Sequence, residues 1–193
     1  IVNDGVASEI ELWQLDLASM GSVMQFTRRF KASGMQLDLL INNAGLMAIP
    51  YARTAEGFEM QFGVNHLGHF ALTAQLWPVL SGTKGSRLVQ VASLAHRFGK
   101  INFEDLHWEQ GYKKWKAYGM SKLANLLFVM ELVRRLEKNG SEVTVAAAHP
   151  GWAATELQAK GARMKGNSLG AVSMNLVNKL LAQSGEQGAL PSL

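Results

Sequence analysis

Tyr118 and Lys122 stand four residues apart in the stretch Tyr118-Gly119-Met120-Ser121-Lys122. On a helix that offset puts a phenol and an ammonium on one face, one turn apart. A free tyrosine keeps its proton to about pH 10, and a cation beside it favours the phenolate, which brings the group toward useful acid/base strength. The chemistry such a pair could do is general acid/base catalysis. The same spacing arises by chance on many exposed helices, so the surrounding residues decide its meaning.

Four further polar groups lie where they can join the pair. Asn42-Asn43-Ala44-Gly45 follows one apolar run, Ser93 follows a second and His149-Pro150-Gly151 follows a third, while Asn65 lies in a helical stretch between the first two. In an open parallel sheet the carboxyl ends of the strands form the ligand crevice. Motifs far apart in sequence therefore converge on one place.

The elements that must position these groups are legible from periodicity. Ile10 to Leu15 alternate apolar and polar residues and predict a strand, ending at Asp16-Leu17-Ala18-Ser19. From Ser19 as N-cap, Met20, Val23, Phe26 and Phe30 recur at helical spacing as far as Gly34. Leu37 to Ile41 predicts a strand covered on both faces, and residues from about Thr54 to Trp77 a long helix. Ser86 to Ala92 predicts a strand, Lys113 to Lys138 a helix stopped by Asn139-Gly140, and Val143 to Ala148 a last strand. Strands alternating with helices imply right-handed crossovers and an α/β fold, a Rossmann-type doubly wound parallel sheet with helices on both faces. Residues 1–193 read as a single domain, with residues 156–170 as a candidate substrate loop. The first βαβ unit of such a sheet is expected to be missing, because Ile1 opens without it. A helix-start box at Ser184-Gly185-Glu186-Gln187, close to the last residue, gives the expectation of a chain incomplete at both ends.

With these residues the sequence resembles the short-chain dehydrogenase/reductase family, from Asp16 to the region of Pro191. The resemblance implies that Tyr118 and Lys122, as the family's Y-x-x-x-K pair, form the catalytic group with Ser93 and Asn65. It implies a cofactor held by Asp16 and Leu17 at the adenine and by Asn42, Ala44 and Gly45 along the adenosine side. Tyr118 and Lys122, the turn at Pro150 and Gly151, and Thr155 facing the nicotinamide carboxamide complete the implied cofactor set. The implied activity is that of an NAD(P)(H)-dependent oxidoreductase moving hydride between nicotinamide and a carbonyl or alcohol substrate. In it Tyr118 exchanges a proton with the substrate oxygen and Ser93 hydrogen-bonds that oxygen. Lys122 lowers the Tyr118 pKa and holds the nicotinamide ribose, and Asn65 supports a water that relays protons to Lys122.

Asn65-His66-Leu67-Gly68-His69-Phe70, Ser121-Lys122-Leu123-Ala124-Asn125 and the interval of 118 − 93 = 25 residues between Ser93 and Tyr118 are most similar to the retinol dehydrogenase and protochlorophyllide reductase branch. That interval inserts Phe98 to Trp115, whose Phe103, Trp108, Tyr112 and Trp115 either wall a pocket for an apolar substrate or form a packed surface excursion. Trp152 beside the cofactor turn and His96 in the loop are candidates for substrate contact, although a loop histidine also serves ordinary polar roles. The family's glycine-rich pyrophosphate turn, T-G-x-x-x-G-x-G, is absent from this sequence, and so is the second-strand end that distinguishes NAD from NADP. The cofactor is NADP or NAD, and only the branch points to NADP.

Composition excludes other classes. Nineteen basic and 15 acidic residues give a charge of +4, scattered along the chain rather than massed, so no nucleic-acid partner is expected. No apolar run approaches a membrane span of about 18 residues. The absence of cysteine rules out disulfides and thiolate metal sites and fits a cytoplasmic protein. His66 and His69 lack a third ligand at suitable spacing, so no metal is expected and the two read as helix packing. The long helices carrying Asn65 and Tyr118 are the usual dimer surfaces of the family, which makes a homodimer the oligomer to test. The alternative reading is a truncated, cofactor-free binding or interaction module. An α/β protein of another family would need the matches at Asn65, Ser93, Tyr118 and Lys122 to be accidental.

Overall fold

The computed structural model describes residues 10–149 and folds them into a parallel sheet with helical crossovers. Helix α1, Met20–Ala32, starts where its cap dictates: Ser19 is extended and its hydroxyl accepts the Ser22 N–H at 3.2 Å. That satisfies one of the donors a helix start leaves open. Val23 on the inner face of α1 is fully buried with Leu17, Val64, Leu72 and Leu76.

Strands β1 (Leu39–Asn42), β2 (Arg87–Val91) and β3 (Thr144–Ala148) pair in parallel in the order β1-β2-β3. The register sets Asn42 opposite Gln90 and Val91 opposite Ala148, so all three carboxyl ends reach one edge. The crossover from β1 to β2 is one continuous helical rod, made of α2 (Met60–Phe62), a π-helical stretch (Gly63–Gly68) and α3 (His69–Gly82). The crossover from β2 to β3 carries a 3-10 turn at Leu94–Phe98 and α4, Lys114–Asn139. Gly140 ends α4 in the left-handed region at φ 62°, as the Asn139-Gly140 stop predicts. Leu80, Leu88, Leu136 and Val143 form a core between sheet and helices, and Phe62, Met120 and Ala124 form another where the two crossovers meet.

Two expected elements come out differently. Ile10 to Leu15 is not a strand: among the described residues no segment lies alongside to take up its backbone hydrogen bonds, and Leu12 is 94% exposed. The alternation that suggests a strand instead leaves Leu15 against the α1 core and Trp13 edge-on to Phe26 and Phe30. The helix expected from Thr54 to Trp77 begins at Met60 and runs on through Pro78 to Gly82. Its start is moved by an antiparallel bridge between Arg53 and Glu59, after which the Glu59 carboxylate caps the helix by accepting the N–H groups of Gln61 at 3.0 Å and Phe62 at 2.7 Å. No helix among the described residues is long and apolar enough to cross a membrane.

Candidate active site

Asn65 organises the site. It lies in the π-helical stretch and is fully buried. Its side-chain oxygen accepts the Leu46 N–H at 2.7 Å, and its amide donates to the Leu46 carbonyl and to the Ser121 hydroxyl, both at 2.9 Å. One side chain thus clamps the loop leaving β1 to the middle of α4. Its backbone carbonyl is used as well, accepting from the Asn125 side chain at 3.0 Å and pairing with His69 Nδ1 at 3.1 Å. A π-turn departs from regular helical bonding and often marks a functional position. Gly45 eases the clamp, since a Cβ there would crowd Asn65 Oδ1 at 3.0 Å.

Six consecutive residues of α4, Ala117 to Lys122, are buried, and they include both Tyr118 and Lys122. Lys122 Nζ donates to the Val91 carbonyl at the end of β2 at 3.1 Å, and Asn125 donates to the same oxygen at 3.4 Å. Burial brings the Lys122 pKa down to about 8, because desolvation penalises the ammonium. Nζ lies 5.8 Å from the centroid of the Tyr118 ring. The expected lowering of the Tyr118 pKa by Lys122 is not what this geometry gives. Burial raises the phenol, and the opposing influence is its hydrogen bond with the Ser93 side chain. The ammonium is turned to the Val91 carbonyl, and desolvation of Tyr118, which is 5% exposed, dominates.

Ser93 is set by the 3-10 turn it caps. Its hydroxyl accepts the Ala95 N–H at 3.3 Å, and its carbonyl accepts from the His96 backbone at 3.1 Å and pairs with His96 Nδ1 at 2.7 Å. His96 is therefore tied back to the turn through one ring nitrogen. Gly119 lets this turn settle on α4, because a Cβ there would stand 2.9 Å from the Ala95 carbonyl.

The remaining candidates divide. The Asp16 carboxylate accepts the Ala18 N–H at 2.8 Å at the start of the turn into α1, while the Leu17 side chain enters the core and its carbonyl lies against Gly68, one turn from Asn65. The Asn42 side chain turns beneath α3, donating to Thr73 Oγ1 at 2.9 Å and to Gln90 Oε1 at 3.0 Å, whereas Asn43 and Ala44 are exposed at the sheet edge. His66 pairs with Asn125 Oδ1 at 3.0 Å and stacks on Phe62. Burial holds the His69 pKa at about 4, so this imidazole is neutral near pH 7. His66 packs the two crossovers together, touching Asn125 and Phe128 of α4, while His69 is bonded to Asn65 within its own rod. Pro150, Gly151, Trp152, Thr155 and the loop 156–170 lie outside the described residues.

Two residues of the site have no chemical role assigned from the sequence. Ser121 and Asn125 join Asn65 to α4, and their signal is spacing: they sit three and seven residues after Tyr118, on the face that Tyr118 and Lys122 already occupy. Gln61 lies one helical turn before Asn65, on the same side of the rod. The insertion after Ser93 is packed in one part and lines a cleft in another. Trp108 packs on the core of Phe62 and Met120, and Phe103 is 79% exposed. Tyr112 and Trp115, by contrast, line a cleft of about 540 Å³ between Ile49-Pro50 and the segment from Tyr112 to Lys116. The Trp115 ring, on one wall of that cleft, stands edge-on to the Tyr118 ring at 6.2 Å.

The family model described as short chain dehydrogenase matches residues 2–166. The chain is 51% identical over 154 residues to retinol dehydrogenase 14 of Mus musculus, covering 80% of this chain and 46% of that protein. It is 46% identical over 179 residues to retinol dehydrogenase 13 of Homo sapiens, covering 92% and 53%. The chain spans about half the length of the curated relatives it matches. Among solved structures, an uncharacterized protein from Mycobacterium paratuberculosis is 49% identical with a TM-score of 0.69, covering 83% of this chain and 59% of that one. A short chain dehydrogenase/reductase from Burkholderia phymatum in complex with NAD shares the fold, with a TM-score of 0.60 at 22% identity, covering 89% of this chain and 60% of that one. With the matched residues taking in the Asn65 clamp and the Ser93, Tyr118 and Lys122 cluster, the chain belongs to the short-chain dehydrogenase family, in the branch of the retinol dehydrogenases.

Proposed function

We propose that this chain carries the catalytic centre of an NAD(P)(H)-dependent oxidoreductase acting on a carbonyl or alcohol, with Tyr118 as general acid and base. The observation that carries this reading is the meeting of Tyr118, Ser93, Lys122 and Asn65 at one sheet edge from three separate segments. The residues fit a nicotinamide cofactor. Lys122 is a buried cation with one bond to Val91, so two of its three protons are uncommitted among the described residues and suit ribose hydroxyls. Gly45 leaves the backbone bare at the same point.

The cofactor, when bound, supplies the hydride chemistry. Tyr118 gives its proton to the substrate oxygen during reduction and takes one during oxidation. Ser93, which lies close enough to Tyr118 to lower its pKa, offers its hydroxyl to the same oxygen as charge develops there. Burial keeps Tyr118 protonated, which suits it to act first as an acid, and Lys122 with a pKa of about 8 stands one helical turn away to return the proton. Asn65 fixes the loop and helix between which these groups sit. The similarity to retinol dehydrogenases makes an apolar alcohol or aldehyde with NADPH the first substrate to try.

The test is titration of the full-length protein with NADPH and NADH, followed by nicotinamide fluorescence, and then a panel of aldehydes and alcohols. Saturable binding of NADPH with turnover of apolar members supports the reading. Binding of neither nucleotide overturns it.

A further inference from the structure

Beneath the cleft lies a buried polar network that takes no part in the chemistry at Tyr118. Gln61 is fully buried, and its side-chain oxygen accepts the Ala48 N–H at 2.7 Å. Its amide donates to the Tyr112 hydroxyl at 2.7 Å and to the Lys114 carbonyl at 2.9 Å. The Tyr112 hydroxyl stands 3.0 Å from the Ile49 carbonyl and 3.3 Å from the carboxylate of Glu59, to either of which it can donate. Glu59, fully buried, is held in turn by the first N–H groups of α2. Two side chains thus tie both walls of the cleft, Ile49-Pro50 on one side and Tyr112 to Lys116 on the other, to the rod that carries Asn65.

Buried hydrogen bonds joining three segments define a spacing more sharply than apolar contact does, because a slip leaves donors and acceptors unpaired. The spacing at stake is the width of the cleft, whose Trp115 wall stands edge-on to the Tyr118 ring at 6.2 Å. We propose that Gln61 and Tyr112 are a positioning pair that sets this width, so that they govern how firmly the apolar body of a substrate is held and leave proton transfer to Tyr118 and Ser93. The inference rests on the oxidoreductase reading above. It adds where the substrate body lies and what sets the fit.

The test uses the full-length protein with NADPH and three aldehydes of increasing length, butanal, octanal and dodecanal. In the wild type KM falls as the chain lengthens, because each methylene that enters the cleft leaves water. In Tyr112→Phe, which removes one oxygen, KM for dodecanal rises about fivefold, the scale of one lost buried hydrogen bond. KM for butanal, kcat and the NADPH dissociation constant stay within about twofold of the wild type, too small a change to count as a lost hydrogen bond. Gln61→Met gives the same signature, and the double variant is no worse than the poorer single one, as expected of two residues acting as one unit. Trp115→Ala, on the exposed wall, flattens the same length dependence and serves if Gln61→Met does not fold.

An unchanged dodecanal KM in Tyr112→Phe, an equal rise for butanal, or additive effects in the double variant would overturn the proposal. A wild type that binds no nucleotide and turns over none of the three aldehydes overturns the oxidoreductase reading instead. The two failures are therefore separable.

Discussion

The cluster around Tyr118 and the wall around Tyr112 are both hydrogen-bonded and both assembled from three segments, yet they differ in burial and in where their parts come from. Asn65, Tyr118 and Lys122 stand on helices, and Ser93 directly follows a strand, so their positions follow from element geometry and each has a recognisable spacing. Tyr112 stands in an irregular stretch just ahead of α4 and is placed by one buried amide from Gln61. Groups that must meet a reacting atom are held by the regular scaffold, and groups that shape the substrate's surroundings are held by side chains reaching across from it. The first arrangement is stiff and leaves little room for change. The second can vary with a few loop residues, as the uses of a shared scaffold require.

Four substitutions sharpen or break this contrast. The largest effect is expected from Lys122→Ala, which should weaken NADPH binding and lower turnover by about a thousandfold, because one residue serves both. Loss of only one of the two properties, followed by nucleotide titration and steady-state rates, would break the assignment. Asn65→Ala leaves the Leu46 N–H, the Leu46 carbonyl and the Ser121 hydroxyl without their partner. A loss of about 3 kcal/mol in a urea unfolding experiment is expected from groups buried unpaired, and a loss near zero would mean that the clamp is decorative.

The third substitution reads pH. Folding lowers the His69 pKa from 6.5 to about 4, so between those values the unfolded chain holds the proton that the folded chain refuses. Stability is then full above about pH 6.5, falls as pH drops toward 4 and levels off below, by up to about 3 kcal/mol in all. His69→Gln should flatten that slope in urea midpoints measured across the window. An unchanged slope would assign the acid sensitivity to other groups. The smallest effect belongs to Phe103→Ser: the ring is 79% exposed, and neither stability nor aldehyde KM should move by more than about 0.5 kcal/mol. A clear rise in KM would extend the substrate wall to the tip of the insertion.

How much was legible in advance follows the same division. Helix α4 and its stop at Gly140, the cap at Ser19 and, to within a residue or two at each end, the strands expected over Leu37 to Ile41 and Ser86 to Ala92 follow from periodicity and capping, which are local properties. The segment Ile10 to Leu15 has a strand's alternation without a described strand beside it, and alternation alone does not say which face a segment buries or against what. The late start of α2 turns on the Arg53–Glu59 bridge, a contact that hydrophobic period does not encode. At the site, the four-residue offset of Tyr118 and Lys122 suggests acid/base chemistry, and the roles expected of Ser93 and Asn65 come from the family resemblance. The offset also led to a lowered Tyr118 pKa, where the geometry has burial raising it, because the balance between a nearby cation and lost solvation depends on where Nζ points. The Gln61–Tyr112 bond joins residues far apart in sequence in neither a motif nor a periodic pattern, and only the fold reveals it.

The central claim is that Tyr118 moves the proton. Its most direct test is a single-turnover measurement in which Tyr118→Phe, saturated with NADPH, is mixed with octanal and the nicotinamide absorbance is followed. The account predicts NADPH affinity within about tenfold of the wild type, since no more than one hydrogen bond to the nucleotide is lost, and a decay slower by at least about a thousandfold, the scale of a lost general acid. A decay at the wild-type rate would contradict it.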